Sequence, residues 1–421
     1  MKRKNELTQA IEDNKPLELK KLLPRLIAFL VALALAVTFI TIGLSRMGRL
    51  EEGLQTIEAL EDEAVPRYQL GVSFQHWFSG SSKEIRLAVA ELRDLYAGAL
   101  KDAFRMLDPE NLYEGWANLA TLNQNLGREV KVSRELYEVL READRLTRQG
   151  RVYNLYGGVL YSEWEGLLYQ LEPEPFDPCN DPEEAARLER LTAATRELSN
   201  FSLEFLNDET CTLRFTVDLA YLDLLEELEL ADVPILDLNV LRDAFKLQLV
   251  AARLEARGYD RGFLSDDSGL TLTLSGYADG GDYCFYGEKE GEAVPAAACP
   301  VTAGSCCVQL RAFGLREEPG YYALEQGGQT LLRHPWLPAD GVYREVLLGA
   351  FLVSGDLSLP EACYACLALY ACDTAEEAEA LVRSVSGKAA LLLREDPLTV
   401  RSTDDALRPA EDSGFSWKRL P

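Results

Sequence analysis

The stretch Ile235-Leu236-Asp237-Leu238-Asn239-Val240-Leu241-Arg242-Asp243-Ala244-Phe245-Lys246, continuing to Gly258, decides the fold. A short apolar run ends at Asp237 and Asn239, either of which can accept a backbone N–H bond at a helix start. Val240, Ala244, Leu247, Ala251 and Leu254 then recur at spacings of four and three, which is one apolar stripe. Arg242, Lys246, Arg253 and Arg257 fall on the other side. Gly258 suits the position just past the helix, where a left-handed backbone costs glycine least. A strand, an acidic turn and a helix make either a plain strand–helix joint or a place where a phosphate or metal is held. The second option exists because the first N–H groups of a helix have no partner within it.

Working outward, 421 residues suffice for a large core, and 47% hydrophobic residues is a globular composition. The formal net charge is −26. Seven Lys/Arg and four Asp/Glu precede residue 26, so the remainder carries 36 basic and 65 acidic residues. Such a surface repels nucleic acid and anionic lipid headgroups, which excludes a nucleic-acid partner. A phosphorylated ligand would need a local metal or local N–H groups.

Leu26–Leu44 contains no charged residue. At 1.5 Å per residue it makes about 28 Å of helix, one bilayer core. No Ala-x-Ala-like cleavage site follows, and Arg46 and Arg49 come next, which favours an anchor over a cleaved signal peptide. Lys15, Lys20, Lys21 and Arg25 lie before the span, and the positive-inside rule then leaves the N-terminus in the cytoplasm. The sequence therefore predicts a cytoplasmic segment over 1–25, a transmembrane helix over 26–45 and a helical stalk over 46–70. A large extracytoplasmic α+β domain over 71–400 and a loose polar tail over 401–421 complete it. The stalk rests on Leu50, Leu54, Ile57 and Ala64, with Pro66 ending it.

Within the domain, Ser73–Ser82 reads as a small loop-like patch in which His76 packs beside Trp77. Helices are expected at Glu84–Met106, at Val132–Arg148 with Ser133 as cap, and at Asp181–Leu198 with Pro182 in the first turn. The paired glycines Gly157-Gly158 allow a tight backbone approach to a neighbour or a ligand. Phe201–Val217 alternates like a hairpin, and Gly262–Leu274 is strand-like around the turn Asp266-Asp267-Ser268-Gly269. Ser275–Gly304 is rich in glycine and small residues. Strands follow at Val308–Phe313, Tyr321–Leu332, Val346–Val353 and Ala389–Leu393. Pro360–Ala371 reads as an apolar helix, and Thr374 caps the next one. Its Cys363-Tyr364-Ala365-Cys366 reads as helix packing, since zinc needs a second such pair or a nearby His. Outside the membrane some of the nine cysteines could pair, for example within Cys284–Cys307, leaving an odd one.

This order of elements resembles the FAD:protein FMN transferase family, also called ApbE-like, over roughly Leu107–Thr399. Five pieces carry the resemblance. Asn118–Asn123 followed by Val130–Ser133 is similar to the family's Ser-x-x-x-Leu-Asn run and the Val-Ser after it. Tyr153–Gly158 with Trp164 resembles its Phe-Asp-Pro-Thr segment and Trp. Leu236-Asp237-Leu238 with the helix behind it resembles Asp-Leu-Gly-Gly-Ile-Ala-Lys-Gly-Tyr. His334, Pro338 and Gly341 sit as in His-Ile-Ile-Asp-Pro-x-Thr-Gly. Glu361–Leu369 lies where the family has Ala-Asp-Ala-Leu-Ala-Thr-Ala-Leu.

The resemblance implies a fold and a chemistry. FAD would be cleaved at its pyrophosphate, and FMN passed to a Ser or Thr of another exported protein, with a magnesium ion holding the pyrophosphate. It implies catalytic roles for Asp237 and His334, and cofactor contacts at Asn239, Asp243, Gly269, Pro338 and Gly341. The metal would fall to Glu361 and Cys366. The sequence departs from the family at several of these positions. Asp243 and Ala244 replace Lys-Gly, Asn239 and Val240 replace paired glycines, and Leu337 replaces an Asp. Cys366 replaces the metal-run Thr, and its Asp falls on Ala362 with Glu361 one place away. Two functions follow from this pattern: a membrane-anchored flavin transferase, or a flavin- or protein-binding module on the same fold that does not transfer.

Overall fold

Val72-Ser-Phe-Gln-His-Trp-Phe78 alternates, with Phe74, His76 and Phe78 buried on one face and Ser73, Gln75 and the part-exposed Trp77 on the other, and that period of two makes a strand. The computed structural model describes residues 50–59, 71–150, 152–277, 280–315, 318–395, 398–410 and 414–420. They divide between two compact units, the first holding the described residues 50–52 and 79–87, the second those within Gly53–Phe78 and Ala88–Pro421. In the described part of the first, the Glu84 carboxylate accepts from the Ser81 N–H at 2.8 Å and from its hydroxyl at 2.7 Å.

In chain order the elements are β1 (Gly53–Ile57), β2 (Val72–Phe78), α1 (Ser82–Leu107), α2 (Leu119–Asn123) and β3 (Glu129–Lys131). Next come α3 (Arg134–Gln149), α4 (Gly158–Leu168), α5 (Pro182–Arg196), β4 (Phe201–Asn207), β5 (Thr212–Val217) and α6 (Leu219–Glu227). A 3-10 turn, Asn239–Leu241, leads into α7 (Arg242–Glu255). It is followed by β6 (Gly262–Asp266), β7 (Leu270–Thr273), β8 (Gly281–Lys289), β9 (Glu292–Val301) and β10 (Cys306–Arg311). The hairpin β11 (Tyr322–Gln326) and β12 (Gln329–Arg333) precedes β13 (Leu347–Ser354), α8 (Leu359–Tyr370) and α9 (Ala375–Val382). β14 (Lys388–Leu393), β15 (Thr399–Ser402), β16 (Arg408–Pro409) and β17 (Ser416–Arg419) close the chain.

Nine strands form the main sheet, in the order β1-β2-β6-β7-β10-β13-β14-β15-β17. All neighbours are antiparallel except the last pair, β15 and β17. On one side lie α7 and α8, packed on each other, with α7 against β6 and β7 and α8 against β10 and β13. On the other, the small sheet β16-β9-β8 covers the later strands. There Phe285 stacks on Phe351 with ring centres 4.8 Å apart, inside a cluster holding Cys299, Cys307, Val353, Leu392 and Val400. Each such fully buried large apolar side chain contributes about 1.5 to 3 kcal/mol. A third sheet, β3-β5-β4, carries Phe201 and Phe215 against Tyr156 of the loop before α4.

Most expected elements are present, within a residue or two at their ends. The fold is mixed α+β, as expected. The helical stripe of α7 is buried through Ala244, Leu247, Ala251 and Leu254, and Gly258 has φ +82°. Ser133 caps α3 by accepting from the Leu136 N–H, and Asp181 caps α5 with Pro182 first in the helix.

Six expectations are corrected. No strand leads into α7: residues 228–238 join no sheet, and the 3-10 turn Asn239–Leu241 opens the helix. Tyr321–Leu332 is not one strand but the hairpin β11–β12, turned at Gly327 and Gly328. The stalk over 46–70 is not helical where it is described: Gly53–Ile57 is a strand, with Gly53 at φ +134°, a value no helix accommodates, and Ile57 buried beside Phe74 of β2. The patch at 73–82 is strand β2 through Phe78, and His76 packs between Phe74, Phe78 and Tyr259. The glycine-rich region 275–304 holds the long hairpin β8–β9. The tail is not loose where it is described, since β16 and β17 each join a sheet and Leu407 is buried. The folded body therefore runs from Gly53 to beyond 400, wider than 71–400 at both ends.

The expected cytoplasmic segment 1–25 and transmembrane helix 26–45 lie outside the described residues. Among the described residues no helix is long and apolar enough to cross a membrane. All nine cysteines are unpaired thiols, so no disulfide joins Cys284, Cys299, Cys306 or Cys307. Cys363 and Cys366 are buried on the packed face of α8.

Candidate functional site

Gly158 is pressed against the chain that enters the turn before α7. A Cβ there would meet the Pro234 carbonyl oxygen at 2.3 Å and that of Ile235 at 2.9 Å. The Gly158 N–H donates to the Ile235 carbonyl at 3.0 Å, and the Asp237 N–H donates to the Leu155 carbonyl at 2.9 Å. The close approach allowed by Gly157-Gly158 is thus to backbone, and it docks α4 beside the start of α7.

Three side chains shape the turn. The Asp237 carboxylate accepts two bonds from Arg242 Nη2, at 2.7 and 2.6 Å, and one from the Asn239 N–H at 2.9 Å. Asn239 sits at φ +49°, a left-handed value that asparagine tolerates better than most residues. Its Nδ2 donates to the carbonyls of Asn154 (3.0 Å) and Asp237 (2.8 Å). Both amide hydrogens face carbonyls, which fixes the amide orientation, and the buried Oδ1 is left without a partner.

Beyond this turn lies a cleft of about 380 Å³ between α4, the start of α7, the β6–β7 turn and the chain at 335–337. Five aromatic residues line it: Tyr161, Trp164, Tyr169, Tyr321 and Trp336. So do five acids, Glu165, Asp243, Asp266, Asp267 and Glu318, with Arg311 the single cation among the lining residues. Arg311 is held by Glu318, one contact being 2.5 Å. Lys246, just behind, is held by Asp243 at 2.6 Å.

Asp266 accepts from the Leu270 N–H (2.8 Å) and the Ser268 hydroxyl (2.7 Å). Burial first, and then the neighbouring Asp243 charge, raises its carboxyl to about 7 despite those bonds and Lys246. Glu165 is also raised, mainly by burial. The Cys363 thiol is pushed up by burial and then by the charges of Asp266 and Asp243.

The residues expected to act do not converge on this cleft. Asn239 and Asp243 line it, and Asp237 stands behind Asn239, tied to Arg242. Gly269, at φ +102°, has its would-be Cβ 2.3 Å from the Gln309 carbonyl oxygen and serves the β6–β7 turn. His334 is fully buried: its Nδ1 accepts from the Trp336 N–H at 3.2 Å and its ring packs on Tyr343 and Tyr370. Burial, then the adjacent Arg333 charge, pushes it down to about 3, so it is a neutral packing residue. Pro338 and Gly341 make a turn, closed by the Gly341 N–H donating to the Pro338 carbonyl (2.9 Å), with Gly341 against Thr192. None of these four lines the cleft.

The expected metal residues are also committed elsewhere. Glu361 completes the N-terminal cap of α8, accepting from the Ser358 N–H at 3.0 Å, and pairs with Arg145 at 2.6 Å. Burial works to raise it, but the Ser358 and Arg145 bonds outweigh that and hold it below its ordinary value. Cys366 is wholly buried, and burial drives its thiol well up, which leaves no thiolate for a metal. Among the described residues no three or more His, Cys, Asp or Glu are grouped to hold a metal ion.

Asp266 was readable in the sequence only as a turn residue. Its approach to Asp243, 23 positions earlier, exists only because α7 packs on β6. Tyr169 and Trp336 carried no signal of their own.

No protein-family model matches the chain, and no curated protein matches it. Solved structures do. The flavin transferase ApbE from Vibrio cholerae is 14% identical with a TM-score of 0.50, over 84% of this chain and 96% of that one. The apo flavinyl transferase ApbE from Pseudomonas stutzeri is 14% identical with a TM-score of 0.50, over 84% and 95%. The ApbE protein from Thermotoga maritima is 12% identical with a TM-score of 0.53, over 82% and 96%. The chain therefore has the fold of the ApbE flavin transferases, and the resemblance read from its sequence is borne out at that level.

FAD and magnesium are what this fold implies, and the lining of the cleft tests both. The aromatic residues suit a flat flavin ring. The pyrophosphate does not fit: the cleft holds five carboxylates and one guanidinium, and the nearby cations are already paired. Magnesium does not fit the residues expected to bind it, because Glu361 is a cap and Cys366 a buried thiol.

Proposed function

We propose that this chain is a flavin-transferase-fold protein, anchored in the cell membrane with its folded body outside, that binds a ligand through its cleft and does not transfer FMN. The observation that carries this reading is Asp237. In the resemblance it is the acid retained at the pyrophosphate site, yet here both its oxygens face the Arg242 guanidinium at 2.6 to 2.7 Å. Phosphoryl transfer is mostly positioning and electrostatics, so an acid neutralised in this way and a cleft of like charge remove what drives it. The anchor and its orientation rest on the uncharged run Leu26–Leu44 and the cations before it.

The test is incubation of the full chain in detergent with FAD, magnesium and a Ser/Thr-containing acceptor protein, following AMP. No AMP above the protein-free rate is expected. AMP release that disappears in Asp237→Ala would establish the transferase instead. For the anchor, protease added outside intact cells should digest the body and spare residues 1–25.

A further inference from the structure

The lining of the cleft specifies its ligand by what it lacks. Asn239, at the cleft edge, has both amide hydrogens spent on carbonyls and so offers a ligand no donor. Glu165, Asp266 and Asp243 supply carboxylates; Asp243 also holds Lys246, whereas Asp266 accepts only from the Ser268 hydroxyl and the Leu270 N–H and has no ion-pair partner among the described residues. The same cleft is lined by the rings of Tyr161, Trp164, Tyr169, Tyr321 and Trp336, whose π-faces attract positive charge.

We propose that the cleft binds a small organic cation, a protonated amine or a guanidinium on an apolar stem, with its N–H groups on the carboxylates of Asp266, Asp243 and Glu165 and its stem against the aromatic rings. This rests on the reading of the cleft as a binding site without transfer. About 380 Å³ is the scale of a small-molecule pocket. The tetrahedral ammonium and the planar guanidinium share this chemistry, and either can come as a free metabolite or as a lysine or arginine side chain presented by a polypeptide.

Calorimetry of the full chain in detergent tests it, with n-butylammonium and n-butylguanidinium as free cations, n-butanol as the neutral match, and an end-blocked Gly-Lys-Gly peptide as the presented side chain. Either free cation is expected to bind at least tenfold more tightly than butanol. Asp243→Asn/Asp266→Asn should lower that affinity at least tenfold. Tyr169→Ala, at a ring 59% exposed whose loss cannot unfold the core, should lower it several-fold. Tighter binding of the peptide than of either free cation would assign the site to a presented side chain and support the same chemistry. Equal binding of butanol, indifference to the double substitution, or displacement by magnesium alone would overturn the proposal. AMP release is read separately: cation binding lost with no AMP formed removes this inference alone, whereas AMP formed removes the reading beneath it.

Discussion

Two carboxylates stand on either side of the start of α7 and have opposite fates. Asp237 receives one guanidinium nitrogen, Arg242 Nη2, on both oxygens and a backbone N–H on one, so its charge is balanced by the turn that holds it. Asp266, on the β6–β7 turn, is raised to about 7 by burial and then by the charge of Asp243, which lines the same cleft. The first has become part of the scaffold. The second is held at a cost to stability, and groups held at such a cost concentrate where ligands bind. A position inherited from a chemical site is thus no guide to where the present chemistry lies.

The largest test of the closed side is Gly158→Ala. Its Cβ would sit 2.3 Å from the Pro234 carbonyl oxygen, and forcing the α4 and α7 starts apart should cost about 3 kcal/mol in urea denaturation. Asp237→Asn leaves Arg242 without its anion and should cost about 2 kcal/mol by the same measurement, discounted because Arg242 is partly exposed. An unchanged midpoint would mean that the ion pair does not lock the turn.

The same carboxylate-to-amide change on the open side should have the opposite sign. Between the ordinary aspartate value of 3.8 and about 7, folded Asp266 holds a proton that the unfolded chain has lost. Stability therefore falls as pH rises through that window, and the deficit is complete above it. Asp266→Asn should stabilise by about 1 to 2 kcal/mol at pH 8 and by nothing at pH 4, read as Tm at both values. A loss at pH 8 would show that the charged form of Asp266 is not disfavoured in the folded chain by its burial and the Asp243 charge. The smallest effect is expected at Glu361→Ala, about 1 kcal/mol from the lost cap and exposed ion pair, with cation binding untouched. Weaker cation binding in that variant would bring Glu361 back to the site.

Much of the fold was legible in the sequence because its local signals are strong. The α7 stripe, the Ser133 cap, the Pro182 helix start and the hairpins at 201–217 and 262–273 follow from spacing and turn residues alone. The strand at Val72–Phe78 was not, because its inward positions include a histidine, and only burial among Phe74, Phe78 and Tyr259 makes His76 count as apolar. The hairpin β8–β9 was hidden by its glycines, alanines and Pro295, which lower strand propensity although long-range pairing prevails. Of the site, Asn239 and Asp243 were found through the helix start. Asp266 and the aromatic residues come from segments far apart in sequence, and His334 and Glu361 had motif positions whose side chains the packing had already used.

The main sheet has a further consequence, concerning synthesis. Its strands lie across the sheet in the order in which they occur along the chain, β1 at one edge and β17 at the other. No strand need be threaded between two that are already paired, so the sheet can grow in one direction as the chain is made. Growth waits longest between Phe78 and Gly262, while the residues carrying the third sheet and α7 emerge. At about 5 to 20 residues per second that wait is roughly 10 to 40 seconds. Throughout it the edge of β2 that will receive β6 is unpaired, and a nascent chain of this fold is then most open to pairing with the wrong partner.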